Sequence, residues 1–239
     1  MSAATERLTR RAAALLLDIE GTLGSKAFLS EVLYPYSREQ LPAFLAAHAA
    51  DPQVQQALTD TQRLAEAEGL DASDPVQVLL GWIAQDRKAP PLKKLQGLIW
   101  RGGFEQGAFQ GHLYPDASAA LRRWHAAGLP LAIYSSGSVP AQRLYFGHSV
   151  AGDLLPCFRA HFDTDVGAKT EAESYRRIAA ALNLAPAQLL FLSDSVAELQ
   201  AAQAAGVQVL HVLREDTPAS PEFAGLADFS LLQIDPIQP

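Results

Sequence analysis

The chain has 239 residues, 49% of them apolar and 19% charged. That is enough apolar surface for a packed core, in one large domain or one domain carrying a smaller insertion (about 100–200 residues per domain). A net charge of -7 argues against nucleic acid or an anionic membrane as the main partner. The single cysteine, Cys157, cannot close an intramolecular disulfide, so it implies no oxidising compartment and reads as a small packed residue.

The N-terminal stretch MSAATERLTRR leads into AAALLLD. Its apolar run, Ala12–Leu17, is too short for a secretory leader or a membrane span, and no other stretch approaches the roughly 20 apolar residues a span needs. The cytoplasm is therefore the expected location. Further short apolar runs are Leu129–Tyr134, Leu189–Leu192 and Val207–Leu213. Each has the length of a strand buried on both faces. Between the later runs lie segments of helical period: Ala117–Ala127 up to Gly128, Glu171–Leu182 with Tyr175, Ile178 and Leu182 on one face, and Val196–Ala205 up to Gly206. Strand and helix in alternation predict an α/β fold with a doubly wound parallel sheet.

From Gly24 to about Gly111 no strand is expected. Ser37 with Gln40 fits a capping box ahead of Leu41–Ala47, and Asp51-Pro52 and Asp74-Pro75 each fit an N-cap followed by proline. Ala89-Pro90-Pro91 breaks the next helix, and Arg101-Gly102-Gly103 is read as the end of another. The predicted organisation is an α/β core of residues 1–23 and 111–239 with a helical insertion, 24–110, expected over the carboxyl ends of the strands, where ligands bind in open α/β sheets.

Four polar groups fall at the ends of these runs. Asp18-Ile19-Glu20-Gly21-Thr22 follows the first. In extended chain, residues two apart point the same way, so Asp18 and Glu20 project together and call for a cation or a proton between them. Magnesium suits such a pair plus phosphate oxygens. Gly21 allows a sharp turn, and Thr22 has a hydroxyl for a phosphate. Ser135-Ser136-Gly137-Ser138 follows the second run, where small residues let backbone N–H groups approach an oxyanion and Ser135 or Ser136 can donate. Lys169, ahead of an amphipathic helix, is a point charge for phosphate. Asp194 can complete a metal site, and Glu198, one turn on, could hold Lys169 or back the metal ligands. Taken singly, each group also fits an ordinary turn, a solvated lysine or an acidic helix start. Their order (acid pair, hydroxyls, lysine, acid, each at a strand end) points to catalysis.

That order resembles the haloacid dehalogenase-like hydrolase superfamily, and in detail the enolase-phosphatases of methionine salvage (acireductone synthases). DIEGT at Asp18–Thr22, the Phe28–Leu45 segment with Val32-Leu33-Tyr34-Pro35-Tyr36, YSSGSVPAQRLYFGHSVAG at Tyr134–Gly152, His161-Phe162-Asp163-Thr164, EAESYRR at Glu171–Arg177 and Phe191-Leu192-Ser193-Asp194 carry it. The match is tight over 14–45 and 111–214 and loose over 50–110. It implies a Rossmann-like core with an inserted α-helical cap, a monomer, and a magnesium cofactor held by Asp18, Asp194 and Glu20, the last through its backbone carbonyl. It also implies a catalytic set of Asp18 as nucleophile, Glu20 as acid and base and Lys169, with Thr22, Ser135, Ser136 and Lys169 on the substrate. The implied reaction enolises a small phosphorylated diketone, 2,3-diketo-5-methylthiopentyl 1-phosphate, and dephosphorylates it to 1,2-dihydroxy-3-keto-5-methylthiopentene. Leu23, Gly24-Ser25-Lys26, Ala168 and Ser195 depart from the family pattern, which keeps a related phosphatase of another small phosphate ester as the alternative. A haloalkanoate dehalogenase would need no metal, and Glu20 and Asp194 argue against it.

Overall fold

The computed structural model describes residues 7–214 and 217–237, so the first residues of the stretch read for a leader lie outside it. Two compact units emerge: one joins the chain up to Lys26 with the chain from Gly111, and the other is Ala27–Gln110.

In the first unit the strands are β1 (Leu8–Ala12), β2 (Ala14–Leu17), β3 (Leu131–Tyr134), β4 (Phe158–Phe162), β5 (Leu189–Ser193), β6 (Gln208–Val212), β7 (Gly225–Leu226) and β8 (Leu232–Pro236). Six of them form a sheet in the order β4-β3-β2-β5-β6-β7, and every pairing is parallel. The chain steps outward from β2 through β3 to β4, then returns to the other side of β2 with β5. The topological switch point therefore lies at β2, where doubly wound sheets bind ligands beyond the strand ends. All four residues of β2 are buried, as are those of β3 and β5, which is why they read as unbroken apolar runs.

The run Ala12–Leu17 is not one strand. It breaks at Ala13, and β1 pairs instead with β8 in a separate two-stranded parallel sheet. The second run begins as a strand only at Leu131, because Pro130 has no N–H to give a ladder and contributes its carbonyl to the Leu15 amide (2.9 Å). Helices α5 (Pro115–Ala126), α6 (Val139–Gly147), α7 (Ala172–Ala181) and α8 (Val196–Ala204) connect the strands. Leu16, Tyr134, Tyr175, Ile178, Phe191 and Leu199 share one buried cluster of this unit.

The second unit is helical: a π-helical turn at Leu29–Leu33, then α1 (Tyr34–Ala47), α2 (Pro52–Ala67), α3 (Pro75–Ala84) and α4 (Pro90–Glu105), around Leu41, Val54, Leu79, Trp82, Leu92 and Ile99. Here the α-helices are numbered in chain order ahead of those of the first unit. Asp51 and Asp74 cap as expected, accepting the Gln53 amide at 2.7 Å and the Val76 amide at 2.9 Å. Two expectations fail. Ser37 caps nothing: the chain is already helical through the π-helical turn into Tyr34, and the buried Ser37 hydroxyl donates back to the Leu33 carbonyl at 2.9 Å. Arg101-Gly102-Gly103 does not end α4, which continues to Glu105. Gly103 is a packing glycine, since a Cβ there would stand 2.6 Å from the Phe109 ring. The helix stops at Gly107, whose φ of +71° suits glycine.

Candidate active site

The carboxyl ends of β2, β3 and β5 and the loop before α7 bring the predicted residues together in the first unit. Asp18, 3% exposed, follows β2. Its Oδ1 accepts the Ile19 amide at 2.8 Å and the Lys169 ammonium at 2.5 Å. Lys169 Nζ also stands 2.7 Å from Glu198 Oε2. Burial alone would lower the lysine's pKa, but Asp18 and Glu198 outweigh it and hold the ammonium above its ordinary range.

The lysine is aimed by its backbone. Three consecutive carbonyls before and at it are each held by a hydroxyl: Gly167 by Tyr134 (2.9 Å), Ala168 by Ser174 (2.8 Å) and Lys169 by Tyr175 (2.7 Å). Gly167 has φ +137°, and a Cβ there would collide with the Ser174 hydroxyl, so the turn requires glycine. Ser174 and Tyr175 reach back six residues from the start of α7, and Tyr134 comes from β3 across the fold.

Glu20 Oε2 accepts the Ser135 hydroxyl at 3.1 Å, and Ser135 Oγ in turn accepts the Gly137 amide at 3.1 Å. Burial, then repulsion from Asp18, raises the Glu20 pKa. Ser136 is partly exposed beside the fully buried Ser135. The Ser135–Ser138 turn is pinned from behind by Gln142, 2% exposed, whose amide donates to the Gly137 and Phe162 carbonyls, both at 2.8 Å. Its oxygen faces His161 Nδ1 at 3.2 Å. Burial, with Arg143 nearby, pushes the His161 pKa down to about 4, so at neutral pH the ring is uncharged. Asp163 takes the Val139 amide at 2.9 Å and secures the start of α6.

Asp194 follows β5. Its amide donates to Thr22 Oγ1 at 3.0 Å. Thr22, expected to face a phosphate, is fully buried and joins the two acidic loops. Ser193 Oγ lies 3.2 Å from Asp18 Oδ2 and 3.0 Å from Glu198 Oε2, one hydroxyl proton between two carboxylates. Burial first and Asp18 second push the Glu198 pKa up to about 7, against the pull of Lys169. Asp194 is raised by burial and by Asp18, while its Oδ2 ion-pairs with Lys26.

Sequence reasoning gave no contact to Ser193, Gln142 or Arg214, and marked Lys26 only as a departure from the family pattern. Arg214, just past β6, reaches the Thr22 carbonyl through Nε (3.0 Å) and a second nitrogen (2.9 Å). It pairs with Asp116 at 3.0 Å and lies over the Tyr114 and Phe229 rings. Its removal would leave Asp116, itself mostly buried, without its counter-charge. Arg214→Ala is expected to lose about 3–5 kcal/mol, read by urea denaturation. A loss under about 1 kcal/mol, the value of an exposed pair, would show that the clamp does not hold the Thr22 turn.

The donor set fits magnesium. Asp18, Glu20 and Glu198 share one buried lysine, a shortage of positive charge among hard oxygen donors. Among the described residues no three acids, histidines or cysteines converge as a cage, and the Glu20 side chain is turned to Ser135. Two carboxylates with the remaining positions left to water and phosphate oxygens is the arrangement magnesium favours.

Residues 12–206 match the haloacid dehalogenase-like hydrolase family. The chain is 50% identical over 220 residues to the enolase-phosphatase E1 of Bradyrhizobium sp. (strain BTAi1), covering 92% of this chain and 94% of that one. To the enolase-phosphatase E1 of Pseudomonas aeruginosa (strain UCBPP-PA14) it is 48% identical, covering 90% and 96%. Among solved structures, the UTR4 protein of Saccharomyces cerevisiae superposes with a TM-score of 0.75 at 31% identity, over 92% of this chain and 99% of that one. CbbY from Rhodobacter sphaeroides, at TM-score 0.58 and 19% identity, shares the fold.

Proposed function

We propose that this chain, which belongs to the haloacid dehalogenase-like hydrolases and among them to the enolase-phosphatase E1 proteins, is a magnesium-dependent cytoplasmic enolase-phosphatase of methionine salvage. It enolises 2,3-diketo-5-methylthiopentyl 1-phosphate and releases the phosphate, leaving 1,2-dihydroxy-3-keto-5-methylthiopentene. The observation that carries the phosphatase chemistry is the buried Asp18 at the switch point, with Lys169 at 2.5 Å from Oδ1. The helical unit Ala27–Gln110 serves as the cap domain, and the chain acts as a monomer.

Asp18 attacks phosphorus in line with the leaving oxygen, and the P–O bond to the substrate breaks as the bond to Asp18 forms. Lys169, with the Ser135–Ser136 turn, takes the negative charge that spreads over the transferring phosphoryl oxygens. Glu20, whose raised pKa lets it hold a proton closer to neutral pH than an ordinary carboxyl, protonates the leaving oxygen. It then takes a proton from the water that hydrolyses the aspartyl phosphate, and Asp18 is regenerated. Asp18 and Asp194, with the Glu20 carbonyl, would hold magnesium, which would supply Lewis-acid charge to a carbonyl or phosphoryl oxygen.

The alternative, a phosphatase of another small ester, rested on departures from the family pattern. One of these loses force: Leu23 is fully buried and faces no substrate. The test is to mix purified protein, magnesium and the diketo phosphate and follow inorganic phosphate together with acireductone absorbance. Both are expected to rise, and both to stop on chelation. Phosphate release from other esters, with none from the diketone, would keep the aspartate chemistry and move the enzyme to a different substrate.

A further inference from the structure

Lys26 stands in the Gly24-Ser25-Lys26 departure, and the chemistry above gives it no part. Its side chain is 67% exposed, yet its ammonium ion-pairs with Oδ2 of Asp194, a side chain only 3% exposed. No hydrogen bond from any other described residue reaches that buried oxygen. The approach is built into the backbone. The Gly21 amide donates to the Gly24 carbonyl at 2.7 Å, closing the turn that follows Asp18. His112 Nδ1 takes the Ser25 amide at 3.0 Å, fixing the chain one residue before the lysine. A Cβ at Gly21 would strike both the Asp194 carboxylate and the Lys26 Cε, so this glycine leaves open the corridor along which the lysine stem runs.

We propose that Lys26 is a tethered cation that competes with the divalent metal for Asp194 and keeps the affinity for magnesium below that of the carboxylates alone. The proposal rests on the reading of Asp194 as a metal ligand. An ammonium and a magnesium ion cannot both hold the same carboxylate oxygen in contact. Magnesium demands close, near-octahedral oxygen ligands, so the lysine must yield. It can do so cheaply, because a four-carbon stem that is already two-thirds exposed has water to move into. What remains is a coupling between the two cations, and by linkage each weakens the other's hold on Asp194 to the same degree.

The test is isothermal titration of the full chain with magnesium alone, comparing wild type, Lys26→Gln, Lys26→Arg and Asp194→Asn. Lys26→Gln is expected to bind magnesium about 3- to 10-fold more tightly, a moderate effect for a part-exposed charge acting on a buried carboxylate. Lys26→Arg keeps the positive charge and should stay near wild type. The gap between wild type and Lys26→Gln should narrow as ionic strength rises. At a fixed magnesium concentration, the metal-induced rise in melting temperature should be larger for Lys26→Gln. Equal or weaker magnesium binding by Lys26→Gln, with binding lost in Asp194→Asn, would overturn the competition and leave Asp194 as a ligand. Wild-type binding by Asp194→Asn would overturn both.

Discussion

Asp18→Asn is expected to fold like the wild type and to release phosphate at least about 10^4-fold more slowly, the scale on which removal of a nucleophile acts. The amide keeps the shape of the carboxylate. Its oxygen can retain the two contacts of Oδ1, the Ile19 amide and the Lys169 ammonium. Its nitrogen then stands in the place of Oδ2, opposite Ser193 Oγ, which can accept from it and give its own proton to Glu198. The substitution thus replaces a contact in which one proton serves two carboxylates with one in which every acceptor has a donor. Lys169 keeps Glu198 at 2.7 Å, and Asp18's repulsion of Glu20, Asp194 and Glu198 is relieved, so the loss of the Asp18–Lys169 charge pair should cost no more than about 3 kcal/mol, the upper value for a hydrogen bond to a charged group. On the proposed mechanism what is lost is the nucleophile, since an amide oxygen does not form the aspartyl phosphate. Phosphate release and the intact mass of the protein during turnover check this. Substantial turnover by a folded Asp18→Asn protein would remove Asp18 from the role.

The ends of β2, β3 and β5 were legible because strands buried on both faces must be apolar throughout, so the first polar residue beyond each run marks where the sheet meets solvent or ligand. Asp18 and Ser135 are such residues, and Asp194 comes one residue later, after Ser193, the buried last residue of β5. β4 was not legible: Phe158–Phe162 carries Arg159 and His161 and is not fully buried. Nor was the β1–β8 pair, since Leu8–Ala12 is only half-buried or exposed before Ala12, carries Arg10 and Arg11, and finds its partner only at Leu232–Pro236. In the helical unit, Asp51 and Asp74 announced their helices through local chemistry, whereas Gly102-Gly103 misled because the cause of Gly103 is the Phe109 ring, a packing demand that no local rule carries. The same limit applies at the site. Lys169 could be picked out as a phosphate cation, but the Tyr134 hydroxyl on Gly167, the Gln142 amide on Phe162, the Arg214 grip on Thr22 and the reach of Lys26 to Asp194 are contacts between distant parts of the chain.

Replacing Lys169 by methionine separates its catalytic part from its structural one. The rate is expected to fall about 10^2- to 10^3-fold, as when one preorganised donor to a developing oxyanion is removed. Its stability cost should depend on pH, for a reason visible in Glu198. That carboxyl has a pKa of about 7 even with Lys169 at 2.7 Å, because burial and Asp18 raise it. A raised folded-state pKa favours the fold fully below the ordinary carboxylate value, and this contribution is lost as pH rises through the folded value. In metal-free buffer the wild type should therefore lose stability between about pH 4.5 and 7 at this site. Without the ammonium, Glu198 holds its proton to still higher pH, and deprotonating it beside Asp18 leaves two buried negative charges with no counter-charge. Lys169→Met should thus lose less at about pH 5, where Glu198 keeps its proton and Asp18 alone lacks its counter-charge, than at about pH 8, where a broken buried pair costs about 3–5 kcal/mol. Adding Glu198→Gln should restore the part of the stability that Glu198 costs at the higher pH while leaving activity low, because the conflict between the two carboxylates is gone and the proposed phosphate cation is still missing. Equal destabilisation at both pH values would show that Lys169 acts there through packing and not through its charge.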